Sequence, residues 1–309
     1  MSLAVPTARS LPAVLLMSSR PLSWVNTAYP FAAAYLLAGG KVDWRLVVGT
    51  LFFLVPYNAA MYGTNDVFDY ESDLRNPRKG GVEGAVLEPS RHRPVLWLVW
   101  GSCVPFAVPL VAGGSPASWA VLAVSLFAVA AYSVPILRFK ERPVLDSLTS
   151  STHFVSPAVY GLALAGGPAA LGAPHALAAL GAFFVWGAAS HAFGAVQDIL
   201  PDREAGIASI ATLFGARRTV LIAVVGYIAA AALLILGADG PARWAGLLAL
   251  PYALNAAPFG GITDADSART RVGWRRFLWL NYLTGFILTV SLLAAALLPP
   301  VLRSKGMAG

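Results

Sequence analysis

Residues 65–81 read NDVFDYESDLRNPRKGG. Asn65, Asp66, Asp69, Glu71 and Asp73, all able to offer oxygen to a cation, fall within nine positions, and Arg75, Arg78 and Lys79 follow at once. Long apolar runs lie on either side. The 309-residue chain is 57% hydrophobic and only 12% charged, with a mean hydropathy of +0.66. A soluble domain carries about a quarter charged residues, so this is the composition of a membrane protein. The formal net charge of +7 does not mark a nucleic-acid partner. Its bases recur in short polar gaps between apolar runs, which is how membrane topology is encoded. The single cysteine, Cys103, excludes an intramolecular disulfide and a Cys-based metal cluster.

A helical span needs about 20 mostly apolar residues. About nine stretches qualify, near residues 22–39, 45–65, 95–113, 117–137, 147–166, 175–198, 218–237, 242–260 and 277–299. The Pro and Gly within them, Pro56, Pro105, Pro109, Pro157, Gly187 and Gly194 among others, are tolerable where neighbouring helices satisfy the freed backbone. LPAVLLM near the start is short and has no basic run before it. With Arg9 and Arg20 at its flanks it predicts an interfacial helix within residues 1–20, not a cleaved signal. Connections 66–94, 138–146, 199–217 and 261–276 are long or charged, while GGSP, GGPAALGAP and GADG are short and neutral. The positive-inside rule then puts the N-terminus and the charged connections in the cytoplasm and the C-terminus outside, across the cell inner membrane. The expected fold is all-α, a single membrane domain over residues 1–309.

The opening stretch ends the second span. In a continuing helix, about 100° per residue gathers Asn65, Asp69 and Asp73 within roughly 80°, with Asp66 beside them. AVQDILPDREAG (195–206) ends the sixth span and sets Asp198 and Asp202 one turn apart. Both clusters therefore share one membrane depth. Oxygen donors without His or Cys suit a hard cation, Mg²⁺ above all, which keeps waters and bridges to substrate phosphates. Nearby Arg and Lys are the donors that phosphate oxygens prefer. The physical reading is diphosphate held by magnesium between two acidic helices. An EF-hand calcium loop does not fit either stretch.

NDVFDYESD and DILPDREAG match the NDxxDxxxD and DxxxD signatures of the UbiA-type intramembrane prenyltransferase superfamily, and the chain resembles it in span number and motif placement throughout. The resemblance implies a helical bundle around a central cavity under a cytoplasmic lid region. It also implies Mg²⁺, two ions, holding an isoprenyl diphosphate through Asn65, Asp66, Asp69, Asp73, Asp198 and Asp202. The segment YSVPILRFKERPVLDS (132–147) is similar to the family's Tyr- and Lys-bearing connection. That likeness implies diphosphate contacts for Lys140 and Arg138 and places Tyr132 by the reactive carbon. Arg203 and Arg75 are further diphosphate candidates, and Arg75, Arg78, Lys79 and the glycines at 80–81 candidates for the lid. With HAFGAVQDILPDREAGIASIATLFG (191–215), these segments look like the carotenoid-modifying branch known as lycopene elongases. The implied reaction attaches a five-carbon unit from dimethylallyl diphosphate to an end of lycopene, with Asp69, Asp198, Lys140 and Tyr132 catalytic.

Other polar residues stay open at this level. His191 lies about two turns deeper than Asp198 on nearly the same face. It either lines the cavity or packs as a satisfied histidine, although a polar residue inside a span is a functional candidate by default. His153 and Asp146 flank span five and are cavity candidates. No role is assigned to His175 or His92. Tyr62, Phe68, Tyr70, Phe193 and Trp186 either shield a carbocation through their π faces or pack. TDADSARTRVGWRR (263–276) reads as a solvated loop. An aromatic or quinone-precursor prenyltransferase is the runner-up, and an anionic-lipid transporter would demand a second polar cluster at the opposite membrane face.

Overall fold

The computed structural model describes residues 10–74 and 88–297, and those residues are helical throughout, without a strand. Two short helices introduce the bundle, α1 (Leu11–Ser18) and α2 (Val25–Leu37). The chain continues through α3 (Trp44–Leu54), α4 (Pro56–Phe68) and α5 (Tyr70–Asp73), then α6 (Pro89–Gly101), α7 (Val104–Ala112) and α8 (Pro116–Ser133). It closes with α9 (Leu145–Gly172), α10 (Pro174–Ala195), α11 (Ile199–Glu204), α12 (Ile210–Gly237), α13 (Leu250–Ala256) and α14 (Arg271–Leu297).

Seven helices among the described residues are long and apolar enough to cross a membrane. They correspond to the second to seventh and the ninth expected spans. The first expected span is α2, only 13 residues long, with Pro30 inside it. The eighth is a 3-10 stretch, Gly240–Ala249, running into α13. Gly240, Pro241, Gly246 and Pro251 explain that interruption, since neither residue type supports a continuous α-ladder.

Helices start where the sequence supplies caps. Asp43 accepts from the Arg45 and Leu46 amides at 3.0 and 3.2 Å and from the Tyr35 hydroxyl at 3.0 Å, which fixes the start of α3. Ser115 with Ser118, and Ser209 with Thr212, form reciprocal capping boxes. Close packing comes from small residues. A Cβ at Gly161 of α9 would lie 2.5 Å from the Phe31 carbonyl of α2, and one at Gly187 of α10 would lie 2.5 Å from Ser151 Oγ.

The buried residues divide into two main clusters. One gathers Phe31, Tyr35, Phe52, Phe53, Tyr57, Leu110 and Tyr160 from the first five spans. The other gathers Phe193, Val220, Tyr227, Tyr252 and Phe277 from the last four. The N-terminal helix packs on the bundle. Val14 of α1 is buried with Ala59 and Val67 of α4 and with Val95 and Val99 of α6, so α1 is docked on these two helices.

Candidate active site

Each acidic motif straddles a break in its helix. Asp69, between α4 and α5, has φ −99° and ψ 2°, and Asp198, between a 3-10 turn (Val196–Asp198) and α11, has φ −103° and ψ 3°. Both aspartates thus occupy the same bridge-region conformation, where active-site residues are often found. In the second motif Pro201 accounts for the break, because it cannot donate to the carbonyl four residues back, that of Gln197. The idealised continuous helix therefore holds only up to each central aspartate. Asp73 ends α5, but its side chain lies outside the described part, as do Arg75, Arg78, Lys79 and the rest of the expected lid.

The 138–146 connection brings Lys140 and Arg138 to the first motif. Ser133 Oγ and Lys140 Nζ both donate to Asn65 Oδ1, at 3.1 and 3.3 Å. Lys140 is also ion-paired with Asp69. Arg138, in the left-handed region at φ 44°, is ion-paired with Glu141 Oε1 at 2.6 Å and stands 3.9 Å from Asp69. Burial pulls the Lys140 ammonium down to about 8, against the opposing pull of Glu141 and Asp66.

Asp66 has a cationic partner of its own. It is fully buried and accepts from Arg20 at 3.0 Å, and the Arg20 guanidinium lies 4.2 Å from the Tyr62 ring centroid. Arg20 marked only the flank of an N-terminal helix in the sequence. Its partner sits 46 residues away, and no local pattern announces such a contact.

The second motif also has an unexpected neighbour. Arg203 pairs with Asp264 at 2.7 Å and donates to the Thr212 carbonyl at 3.3 Å. Asp264 accepts from the Ala216 amide at 2.6 Å, just after Gly215 breaks α12 at φ 74°. That amide bond, with Arg203 adding to it, holds the Asp264 carboxyl below the usual carboxylate range. The segment read as a solvated loop therefore clasps the second motif through Arg203. Asp198 and Asp202 are half-buried.

A polar cluster lies deeper, beneath the two motifs. Tyr132 ends α8 next to Ser133, and its hydroxyl is 3.2 Å from His191 Nε2 of α10. His191 Nδ1 is 3.0 Å from Ser147 Oγ of α9. The ring of His153, also from α9, stands edge-on to Tyr132 with centroids 5.1 Å apart. Tyr132 adjoins the first motif through its neighbour Ser133, whose Oγ donates to Asn65. Asp146 does not line a cavity. It is fully buried and accepts from the Ser147 amide at 2.7 Å and the Ile210 amide at 2.8 Å, which braces the starts of α9 and α12. The aromatics divide similarly: Phe193 and Trp186 pack within the second core cluster, and Tyr70 stacks edge-on against His92.

Among the described residues, no three His, Cys, Asp or Glu side chains gather closely enough to hold a metal ion by themselves.

Comparison with known proteins bears on the same residues. The model of the UbiA prenyltransferase family matches residues 27–282, which include both motifs. A Corynebacterium glutamicum protein named lycopene elongase/hydratase is 53% identical over 91% of this chain and 96% of its own. A longer Dietzia sp. protein, named C(50) beta-cyclic carotenoids biosynthesis protein LbtBC, is 56% identical over 92% of this chain and 65% of its own. Among solved structures, a UbiA homolog from Archaeoglobus fulgidus bound to DMAPP and Mg2+ superposes with a TM-score of 0.63 at 19% identity, covering 87% of this chain and 98% of that one.

Proposed function

This chain belongs to the UbiA prenyltransferase family, and within it we propose an integral membrane enzyme that transfers a five-carbon prenyl group from dimethylallyl diphosphate to the end of lycopene. The observation that carries this reading is the 53% identity, over 91% of the chain, to a protein named lycopene elongase/hydratase. The chain 1–309 acts as one domain, with the motifs and charged connections on the cytoplasmic side of the cell inner membrane.

The residues present fit magnesium. Asn65 and Asp69 already place oxygens around one cation, the Lys140 ammonium, and the second motif adds Asp198 and Asp202. Mg²⁺ is held by one or two carboxylates at a time, with substrate phosphate and water completing its shell. Asn65, Asp69 and Asp73 would hold it from one motif, Asp198 and Asp202 from the other, two ions in all. Asp66 we assign to Arg20 instead. Bound magnesium supplies positive charge that neutralises the donor diphosphate.

The protein's own groups do the rest. Lys140 and Arg138 offer charge-assisted hydrogen bonds whose strength grows as the carbon–oxygen bond breaks and its electron pair moves onto the departing diphosphate. The terminal double bond of lycopene attacks the allylic cation, forming the new carbon–carbon bond and a tertiary cation. That cation loses a proton to give an alkene, or captures water to leave a hydroxyl. The membrane setting suits both substrates, the apolar acceptor from lipid and the charged donor from the cytoplasm.

The test is expression in a lycopene-accumulating bacterial host, with pigments read by mass spectrometry. Products heavier by one or two five-carbon units, absent with Asp69→Ala, are expected. Unaltered lycopene beside correctly inserted protein would overturn the acceptor and favour an aromatic one.

A further inference from the structure

We propose that Tyr132, His191 and Ser147 form a proton relay that receives the proton released when the prenylated acceptor cation is quenched. The inference rests on the reaction proposed above and adds what that reading leaves open, the fate of the last proton.

Four side chains from three different helices converge here. Tyr132 comes from α8, Ser147 and His153 from α9, and His191 from α10. Both ring nitrogens of His191 are engaged, Nε2 with the Tyr132 hydroxyl and Nδ1 with Ser147 Oγ. With Ser147 accepting from Nδ1–H, Nε2 accepts from the Tyr132 O–H, and the chain has a direction: tyrosine to histidine to serine. His153 is 2% exposed, and its Nε2 has no hydrogen-bond partner. Polar rings at this depth are costly, and packing alone would be served by Leu or Phe. Tyr132 also adjoins the diphosphate region, because its neighbour Ser133 touches Asn65. His191, by contrast, sits about 10 Å along its helix from Asp198, too deep to hold diphosphate itself.

Quenching releases one proton by either route. In elimination, a C–H bond beside the cationic carbon breaks and its pair becomes the new double bond. In hydration, a water oxygen bonds to that carbon and sheds one of its protons. In each case the proton passes to the Tyr132 oxygen while the tyrosine's own proton moves to His191 Nε2. The resulting imidazolium is held by Ser147 Oγ, whose own backbone amide is anchored on the buried Asp146 carboxyl. The proton returns to water when product and diphosphate leave.

The experiment compares the full-length wild type, His191→Gln and Tyr132→Phe in membranes supplied with lycopene, dimethylallyl diphosphate and magnesium. Glutamine keeps a hydrogen bond to Tyr132 but cannot take up the proton. Both variants are expected to keep the donor KM within about threefold, to lose roughly 100-fold in turnover, and to change the proportions of hydroxylated product and double-bond isomers. Unchanged turnover and proportions would overturn the relay. So would a donor KM that rises in step with the lost turnover, which would make the cluster a support for the diphosphate site. A wild type that makes no elongated lycopene would instead show that the underlying reaction is wrong, and the relay falls with it.

Discussion

At the scale of single residues, the first motif separates two roles that look alike in sequence. Asp66 and Asp69 are both motif aspartates, yet one is sealed against Arg20 and the other faces Lys140 and Arg138. The difference follows from buried-charge energetics. An enclosed carboxylate survives only with a charged partner, and removing that partner costs about 3–5 kcal/mol. Arg20→Met is therefore expected to destabilise the detergent-solubilised protein by about 3 kcal/mol, and adding Asp66→Asn should recover a large part of that loss, as measured by thermal unfolding. Full stability in Arg20→Met would contradict a structural role for Asp66. Asp69→Asn and Asp198→Asn should behave differently. Each is isosteric and half-buried, so folding is expected to hold while prenyl transfer falls about 100-fold or more, read as product formed per correctly inserted protein.

At the scale of elements, the clasp between α11 and α12 sets the second motif in place. Asp264 caps the restarted α12 at Ala216 and draws Arg203 toward it, so one carboxylate ties three segments together. Asp264→Ala is expected to raise backbone hydrogen exchange over residues 199–216 and to lower turnover several-fold, with less effect than an aspartate of the motif itself. The pH dependence has a definite sign. The folded state holds this carboxyl lower than the unfolded chain does, so its stabilising contribution is present above the unfolded value and is lost as pH falls through the folded one. Acid unfolding of wild type should therefore show a component below about pH 4 that Asp264→Asn lacks. The motif spacing was readable, since four-residue intervals at a membrane edge need only helix geometry. The clasp was not, because Asp264 lies 48 residues beyond its amide partner and a charged, Gly-punctuated segment carries no mark of what it will touch. The helix breaks at Asp69 and Asp198 were hidden for a similar reason: a bridge-region residue leaves no periodicity of its own.

At the scale of the whole molecule, the all-helical membrane fold was legible because hydrocarbon thickness imposes a length on every crossing segment, and seven of the nine expected spans recur among the described residues as helices long and apolar enough to cross. What composition could not show is that the first and eighth crossings are short or broken, or that the buried residues form two main clusters. Orientation rests on charge alone, and it decides whether the site meets its diphosphate donor. The lone cysteine makes this testable, since Cys103 is 4% exposed and should stay silent toward a bulky thiol reagent. His175 and Asp239 are exposed at the neutral connections, and Ala205 and Ala265 at the charged ones. A membrane-impermeant maleimide on intact cells should label His175→Cys and Asp239→Cys. It should reach Ala205→Cys and Ala265→Cys only after the membrane is opened. The reverse pattern would turn the acidic motifs away from the cytoplasm. A charged diphosphate made inside the cell would then have to cross about 30 Å of hydrocarbon to react, and the proposed chemistry would lose its donor.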